Sequence, residues 1–307
     1  MRKGVDRREF LSAAAAAAAV ALPAAGNFNV TANAAEETRK SGRARLLVGC
    51  CALSYLRHFN AGTMSMEDFI VKCTELGVQG VDVTTYWLKS TEPEYLASLR
   101  HLAFKNGIPL SGVAIRTEMC QAGGALRAEE VRKIQQWVDV TEMLGSSHLR
   151  VFGGSLPNGA KQAQGIAWVA ECMKPACDYA GKKGVTLGIE SHGGITARAA
   201  MILEILRKVD SPFAGVNLDI SNFEAKSDEE MYADVEACVP QATHVHVRDV
   251  FSTSQRPIDL DRMWRLFAKG NYKGYMSAEY EGEEDPMTGV PKLLDKIKTL
   301  CGKYSSV

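Results

Sequence analysis

The amino-acid sequence predicts a (β/α)8 barrel, the TIM-barrel architecture. Short runs rich in valine, isoleucine and leucine alternate eight times with amphipathic stretches, which is the pattern of parallel βαβ units. The eight pairs use up the chain after residue 45, and one such barrel typically takes about 250 residues. A doubly wound open sheet is the alternative fold, but no Gly-x-Gly-x-x-Gly loop follows the first strand.

Each element follows from a local pattern. The predicted strands are Leu46–Ala52, Gly80–Thr84, Pro109–Ile115, His148–Gly153, Val185–Glu190, Ala214–Ile220, Thr243–Val247 and Tyr275–Glu279. The predicted helices lie near residues 66–76, 93–106, 128–144, 164–182, 197–208, 228–238, 260–268 and 287–301. Five helical stretches end at a glycine, namely Gly77, Gly107, Gly145, Gly184 and Gly270. Because glycine adopts the left-handed conformation at little cost, we expect these glycines to close their helices.

The first 34 residues have the features of an export signal. Arg7 and Arg8 stand just before an apolar stretch that is almost entirely alanine, and Ala32-Asn33-Ala34 offers a small-residue cleavage site. This segment resembles a twin-arginine signal, which bacteria use to export folded proteins. An ordinary secretory signal and an uncleaved alanine-rich anchor helix are the alternatives.

Five expectations follow for the organisation of the chain. Residues 1–34 are a twin-arginine signal peptide, 35–45 a flexible lead-in and 46–307 a single barrel domain. The twin-arginine translocation machinery is then a partner during export, and the mature protein is periplasmic or otherwise extracytoplasmic. Cleavage removes four basic and two acidic residues, which changes the formal net charge from 0 to −2.

Composition excludes some classes of function. The 36 basic residues balance the 36 acidic ones, whereas a protein that binds nucleic-acid phosphates needs a basic surplus, so we expect no nucleic-acid partner. The eight cysteines do not form a disulfide framework by position, and a domain of this size has enough core without them. We expect buried free thiols, with one bridge as the alternative.

Four polar residues share one parity at the ends of the last four strands. Glu190, Asp219, His246 and Glu279 alternate with apolar residues that must face the surrounding helices. They are therefore expected to point into the barrel at the carboxyl ends of the strands, where barrel enzymes carry their chemistry. Three carboxylates this close repel one another and lose hydration. A divalent cation relieves both costs, whereas separate ion pairs and helix caps are the alternative explanation. Three oxygen ligands and one nitrogen ligand suit Mn²⁺, Mg²⁺, Co²⁺ or Zn²⁺. Among these we expect Mn²⁺ first.

The sequence around these positions resembles the sugar phosphate isomerase/epimerase family of the xylose-isomerase-like barrels. The segments that carry the resemblance are Gly188–Gly194, Asn217–Asn222, His244–Asp249 and Ser277–Glu281. The resemblance implies one divalent metal held by Glu190, Asp219, His246 and Glu279, and it gives Glu190 and Glu279 a second role as the catalytic residues that move the substrate proton. Two departures are that Asn222 replaces a frequent histidine and Arg248 a frequent lysine. Export also makes a phosphorylated sugar an unexpected substrate.

Five residues are candidates for substrate binding. His192 is expected above the metal, with stabilisation of its loop as the alternative. Asn222 and Arg248 follow from the resemblance, although Arg248 could equally form a structural ion pair. Glu118 could face the cavity or remain an exposed loop carboxylate, and Trp87 could be an apolar wall for a sugar ring or part of the core.

These expectations lead to a metal-dependent isomerase or epimerase of a free sugar or keto-sugar, with a small-molecule carbohydrate as its substrate. Abstraction of a proton beside a carbonyl would give an enediolate. One alternative is a 3-keto-glycoside lyase or hydrolase that uses the same metal-stabilised enolate to expel a leaving group. The other alternative is a sugar-binding protein without catalysis. A homo-oligomer is compatible with the sequence.

Overall fold

The chain forms a closed barrel of eight parallel strands whose spatial order is their order in sequence. The computed structural model describes residues 43–305, so the predicted signal peptide and residues 35–42 of the predicted lead-in lie outside the described residues. The strands are β1 Arg45–Cys51, β2 Gly80–Thr84, β3 Leu110–Ala114, β4 His148–Val151, β5 Thr186–Glu190, β6 Ala214–Asp219, β7 Ala242–Val247 and β8 Lys273–Ala278. The predicted (β/α)8 barrel is confirmed.

Helices cover the outside of the barrel. They are α1 Leu56–Asn60, α2 Met66–Glu75, α3 Pro93–Lys105, α4 Gly124–Leu144, α5 Gln162–Gly181, α6 Ala199–Val209, α7 Asp228–Cys238, α8 Leu260–Lys269 and α9 Pro286–Tyr304. Helix α1 was not predicted, and it continues a short 3₁₀ turn at Ala52–Tyr55. Among residues 43–305, no helix has both the length and the apolar character that crossing a membrane requires.

The barrel closes between β1 and β8, and this closure starts earlier than predicted. Arg45 pairs with Lys273, and the Arg45 N–H donates to the Tyr272 carbonyl at 2.9 Å. Ala44 is already buried. The predicted flexible lead-in is therefore wrong at Ala44 and Arg45, because the hydrogen bonds to β8 order the chain from this point.

Glycine conformations confirm four of the five predicted helix ends. Gly77, Gly107, Gly145 and Gly184 all have positive φ. Gly270 does not, since its φ is −80°, and the left-handed residue is Asn271 with φ 53°. Gly270 is nevertheless the C-cap of α8, so the helix ends where predicted. A Cβ on Gly270 would overlap Val239, so close packing is what requires a glycine there.

The strands separate an apolar layer from a polar interior. Their helix-facing side chains are fully buried, including Val216, Leu218, Val245, Val247, Met276 and Ala278. The opposite side chains point into the barrel. Strand β8 ends at Ala278, one residue before the predicted end, so Glu279 follows the strand directly. All eight cysteines are buried free thiols, as expected.

Candidate metal and active site

The four predicted ligands meet at the carboxyl end of the barrel. Glu190 and Asp219 end β5 and β6, His246 is the next-to-last residue of β7, and Glu279 follows β8. The register places Asp219 beside His246. One donor atom from each of the four lies within 4.8 Å of the donor atoms of the other three, and none of the residues is more than 2% exposed. The parity of the strands thus brings together the whole predicted set.

His246 stands between two of the carboxylates. Its Nδ1 atom lies 3.3 Å from Glu279 Oε1 and 3.8 Å from Glu190 Oε1. Burial opposes a charge on this ring, but Glu279 and Asp82 raise the pKa of His246 well above its usual value. Burial also raises the pKa of Asp219 to about 7; Arg248 opposes that shift, and Glu279 and Glu190 add to it. The negative charges are therefore crowded at this site.

Arg248 and Asn222 donate hydrogen bonds to carboxylates of the candidate metal ligands, Glu279 and Asp219. Arg248 Nη2 donates to Glu279 Oε2 at 2.9 Å, and Arg248 Nε lies 3.4 Å from Asp219 Oδ2. Arg248 Nη1 donates to Glu281 at 2.5 Å. The Asn222 amide donates to Asp219 Oδ2 at 2.7 Å. Both residues belong to the site, and their predicted contact with substrate stays a prediction.

Arg150 is a site residue that the sequence analysis missed. It points inward from β4, and its Nε atom lies 3.0 Å from Glu190 Oε2, with both side chains buried. Burial alone would raise the pKa of Glu190, but Arg150, His192 and His246 outweigh it and hold that pKa well below its ordinary value. The alternation of inward and outward side chains along β4 would have predicted that Arg150 points into the barrel.

Asp82 was also missed, although it shares the inward parity on β2. The Asp82 Oδ2 atom lies 2.8 Å from His246 Nε2, the ring nitrogen opposite the one that faces the carboxylates. Cys51 joins Asp82 and His246 in a second candidate metal cluster. Burial, with Asp82 and Glu279 adding to it, raises the pKa of the Cys51 thiol well above its usual value, and a protonated thiol is a poor ligand. We therefore interpret Asp82 as a hydrogen-bond partner of His246.

A cavity of about 210 Å³ opens beside the ends of β3, β4 and β5, and Glu118, Phe152, Ser155 and His192 are among its lining residues. His192 Nδ1 lies 3.7 Å from Glu190 Oε1, and its ring centroid is 4.3 Å from that of Phe152. Glu118 Oε1 accepts a hydrogen bond from the Ser155 N–H at 2.7 Å. His192 and Glu118 thus line the same cavity, and their predicted contact with substrate stays a prediction.

Trp87 lies apart from this cavity. Its ring stacks on Phe59 with centroids 4.6 Å apart, and its indole N–H donates to Asn60 at 3.0 Å. These partners belong to α1, the helix that was not predicted. Trp87 is partly buried against the core and is not among the residues that line this cavity, and its predicted contact with substrate stays a prediction. A second cavity, of about 150 Å³, is lined by residues that include Arg248, Glu279 and Glu281.

The donor set fits a divalent cation. Three carboxylates and one imidazole are the ligands that Mn²⁺, Mg²⁺, Co²⁺ and Zn²⁺ accept. The carboxylates are buried and adjacent. Burial, with Glu279 and Glu190 adding to it, raises the pKa of Asp219, and a bound cation would favour its ionised form. His246 also has the geometry of a supported metal ligand, with one nitrogen toward the carboxylates and the other on Asp82.

Solved structures with the same fold include several sugar epimerases. An L-ribulose 3-epimerase has a TM-score of 0.70 at 14% identity, covering 84% of this chain and 95% of that chain. The 3-keto-D-glucoside 4-epimerase of E. coli has a TM-score of 0.67 at 12% identity, covering 84% and 100%. A D-psicose 3-epimerase has a TM-score of 0.67 at 17% identity, covering 84% and 97%. At these identities the likeness concerns the fold.

One curated protein shares a short stretch of sequence. The C-glycoside deglycosidase alpha subunit of Arthrobacter globiformis is 36% identical over 63 residues, which span 20% of this chain and 18% of that protein. The family model of the xylose isomerase-like TIM barrel matches residues 70–300, which includes β2 to β8 and all four candidate ligands. The chain belongs to the xylose isomerase-like TIM barrel family.

Proposed function

We propose that the protein is a metal-dependent isomerase or epimerase of a free sugar or keto-sugar. The observation that carries this proposal is the buried set of Glu190, Asp219, His246 and Glu279, whose donor atoms lie within 4.8 Å of one another. These four residues would hold one divalent ion, with Mn²⁺ as the first candidate. When bound, such an ion polarises a substrate carbonyl and makes the neighbouring C–H more acidic.

The two glutamates provide the proton transfer. Glu190 suits the base, because Arg150 and two imidazoles keep its pKa low and hence its carboxylate ionised. Its Oε2 atom accepts no hydrogen bond from any described residue. Burial alone would raise the pKa of Glu279, but His246 and Arg248 outweigh it and lower this pKa, so the Glu279 carboxylate first takes up a proton from solvent. It then delivers this proton to the opposite face of the same carbon in an epimerisation, or to the adjacent carbon in an isomerisation. Arg248 orients Glu279 by binding its Oε2 atom.

Solvent deuterium uptake tests this function. We expect unphosphorylated ketoses, incubated with the Mn²⁺-loaded protein in heavy water, to gain deuterium at the carbon beside the carbonyl. Glu190→Gln and Glu279→Gln should each lower turnover by a factor of about 10² to 10⁴, the usual contribution of an acid or base. Full turnover by both variants, or a parent protein without deuterium uptake on any sugar of the panel, would contradict the proposal; the latter result would favour a sugar-binding protein without catalysis.

A second candidate function is elimination from a 3-keto-glycoside. The short match to a C-glycoside deglycosidase subunit favours it. Removal of the same proton would then expel the group attached to the neighbouring carbon. Product masses separate the two functions, because an isomerase gives a product of unchanged mass and an eliminating enzyme releases a free aglycone.

We further propose that the protein acts outside the cytoplasm after twin-arginine export. Arg7, Arg8 and the alanine-rich stretch that follows support this location, which in turn favours substrates without phosphate. Cell fractionation checks it: the mature chain should begin at Ala35 in the periplasm, and an uncut cytoplasmic chain would contradict export.

A further inference from the structure

We propose that Arg150 anchors an oxygen of the bound sugar, as a substrate-binding residue next to Glu190. This inference rests on the proposed function and deepens it, since it identifies which side chain recognises the substrate beside the base. It begins from a donor that the protein itself leaves unused.

The position of Arg150 is unusual for a charged side chain. It is the third residue of β4 and points into the barrel, and it is 5% exposed. Its guanidinium carbon lies 4.0 Å from the centroid of the Phe152 ring, and Phe152 lines the cavity that His192 also lines. The guanidinium is therefore held between the base and an aromatic wall of the candidate substrate cavity.

The hydrogen bonds of Arg150 are incomplete. Its Nε atom lies 3.0 Å from Glu190 Oε2 as an ion pair, and neither Nε nor Nη1 forms a hydrogen bond with any described residue. Buried guanidinium donors are costly when they have no partner. An oxygen supplied by a bound molecule would remove this cost.

Arg248 is the natural comparison within the same site. Its three nitrogens all contact protein oxygens, on Glu279, Glu281 and Ser252. All three nitrogens of Arg248 thus donate to oxygens of the protein itself, whereas Arg150 has donors with no hydrogen-bond acceptor among the described residues. Of these two arginines, Arg150 is the one suited to recognise substrate.

That residue 150 is an arginine and not a lysine favours substrate binding over simple neutralisation of the Glu190 charge. A lysine at this position could pair with Glu190 through a single nitrogen. A guanidinium is a planar fork that donates in two directions at once, so it can hold Glu190 and a substrate oxygen together. The acceptor would be a sugar hydroxyl or carbonyl oxygen close to the carbon that loses its proton.

The test compares Arg150→Lys and Arg150→Met with the parent, using D-fructose and methyl 3-keto-α-D-glucoside as probes. We measure KM and kcat for deuterium uptake with the Mn²⁺-loaded protein, the dissociation constant of each probe by NMR titration, and Mn²⁺ content by elemental analysis. Lys183→Met is the matched control, because Lys183 pairs with Asp139 and Glu142 at the far end of the barrel.

We expect Arg150→Lys to bind Mn²⁺ like the parent and to keep kcat within about threefold. Its KM and probe dissociation constant should rise about 10- to 100-fold, because loss of one hydrogen bond to a charged group weakens binding by about this factor. Arg150→Met should lose at least as much affinity, and Lys183→Met none. An Arg150→Lys protein with the affinity of the parent would show that the arginine only balances Glu190, and would overturn this inference alone. A parent that neither binds nor deuterates either probe would overturn the proposed function together with it.

Discussion

His246 is held from both sides of its ring. Its Nε2 atom lies 2.8 Å from Asp82 Oδ2, and its Nδ1 atom faces Glu279 and Glu190. Burial alone would raise the pKa of Asp82, but His244 and His246 hold it at about 2, so Asp82 remains a charged acceptor. A carboxylate in this position fixes both the orientation and the tautomer of a metal-binding histidine. Asp82 is therefore a positioning residue for the candidate metal site.

Asp82→Asn should weaken metal binding without emptying the site. We expect a 10- to 100-fold loss of Mn²⁺ affinity, roughly what loss of a histidine's outer partner costs, because the neutral amide holds the ring less firmly. Calorimetric titration of metal-free protein with Mn²⁺ measures this. Asp139→Asn is the control, since Asp139 pairs with Lys183 and Tyr179 on the outer helices. Equal Mn²⁺ affinity in Asp82→Asn and the control would show that Asp82 does not position His246.

At the scale of the strands, the inward positions alternate between polar side chains and glycines that leave room for them. Gly188 on β5 is one such position, because a Cβ there would overlap the Nε2 atom of His148 and approach the Asn217 backbone. His148 cannot easily move aside, since its Nε2 atom is 3.1 Å from Thr243 Oγ1 and its ring stacks on His244. The glycine is thus required by the packing of the barrel interior.

Gly188→Ala is therefore expected to lower the free energy of unfolding by about 1 to 3 kcal/mol, the usual cost of overpacking a filled core. Gly302→Ala is the matched control, because Gly302 lies in α9 with open space around its missing Cβ. That change should raise stability by about 0.5 to 1 kcal/mol through helix propensity. Urea unfolding of both variants gives the two values, and an unchanged Gly188→Ala protein would mean that the interior can shift to accept a methyl group.

Strand parity explains why the four ligands could be predicted and why their partners were not. Glu190, Asp219, His246 and Glu279 lie at or next to the carboxyl ends of neighbouring strands. The period of two along a strand determines the face on which such residues lie. Arg150 and Asp82 share that parity, but their partners depend on how far each side chain reaches across the barrel, which spacing along the chain does not contain. Trp87 shows a further limit, since it packs on α1, a helix that no sequence pattern indicated.

At the scale of the whole molecule, the barrel buries its thiols. All eight cysteines are buried, including Cys51, which lies beside Asp82 and His246. Burial raises the pKa of Cys120 and Cys301 to about 11, and that of Cys172, Cys177 and Cys238 to about 12. A thiol with so high a pKa stays protonated, and a protonated thiol reacts slowly with oxidants and disulfides. Such thiols would stay reduced even in an oxidising compartment, which is where the proposed export would bring the protein.

The thiols should show this protection in a labelling experiment across pH. We expect iodoacetamide to label none of the eight cysteines in the native protein at pH 8 and all eight in concentrated guanidinium chloride, counted by mass spectrometry. Because unfolded thiols titrate near about 8.5, the stability that these raised pKa values contribute is complete below that pH. It is lost as the pH rises toward the folded values of about 11 to 12, so the urea midpoint should fall in this range. Rapid labelling of the native protein at pH 8 would show that the barrel opens locally, and fewer than eight labels after denaturation would reveal a disulfide.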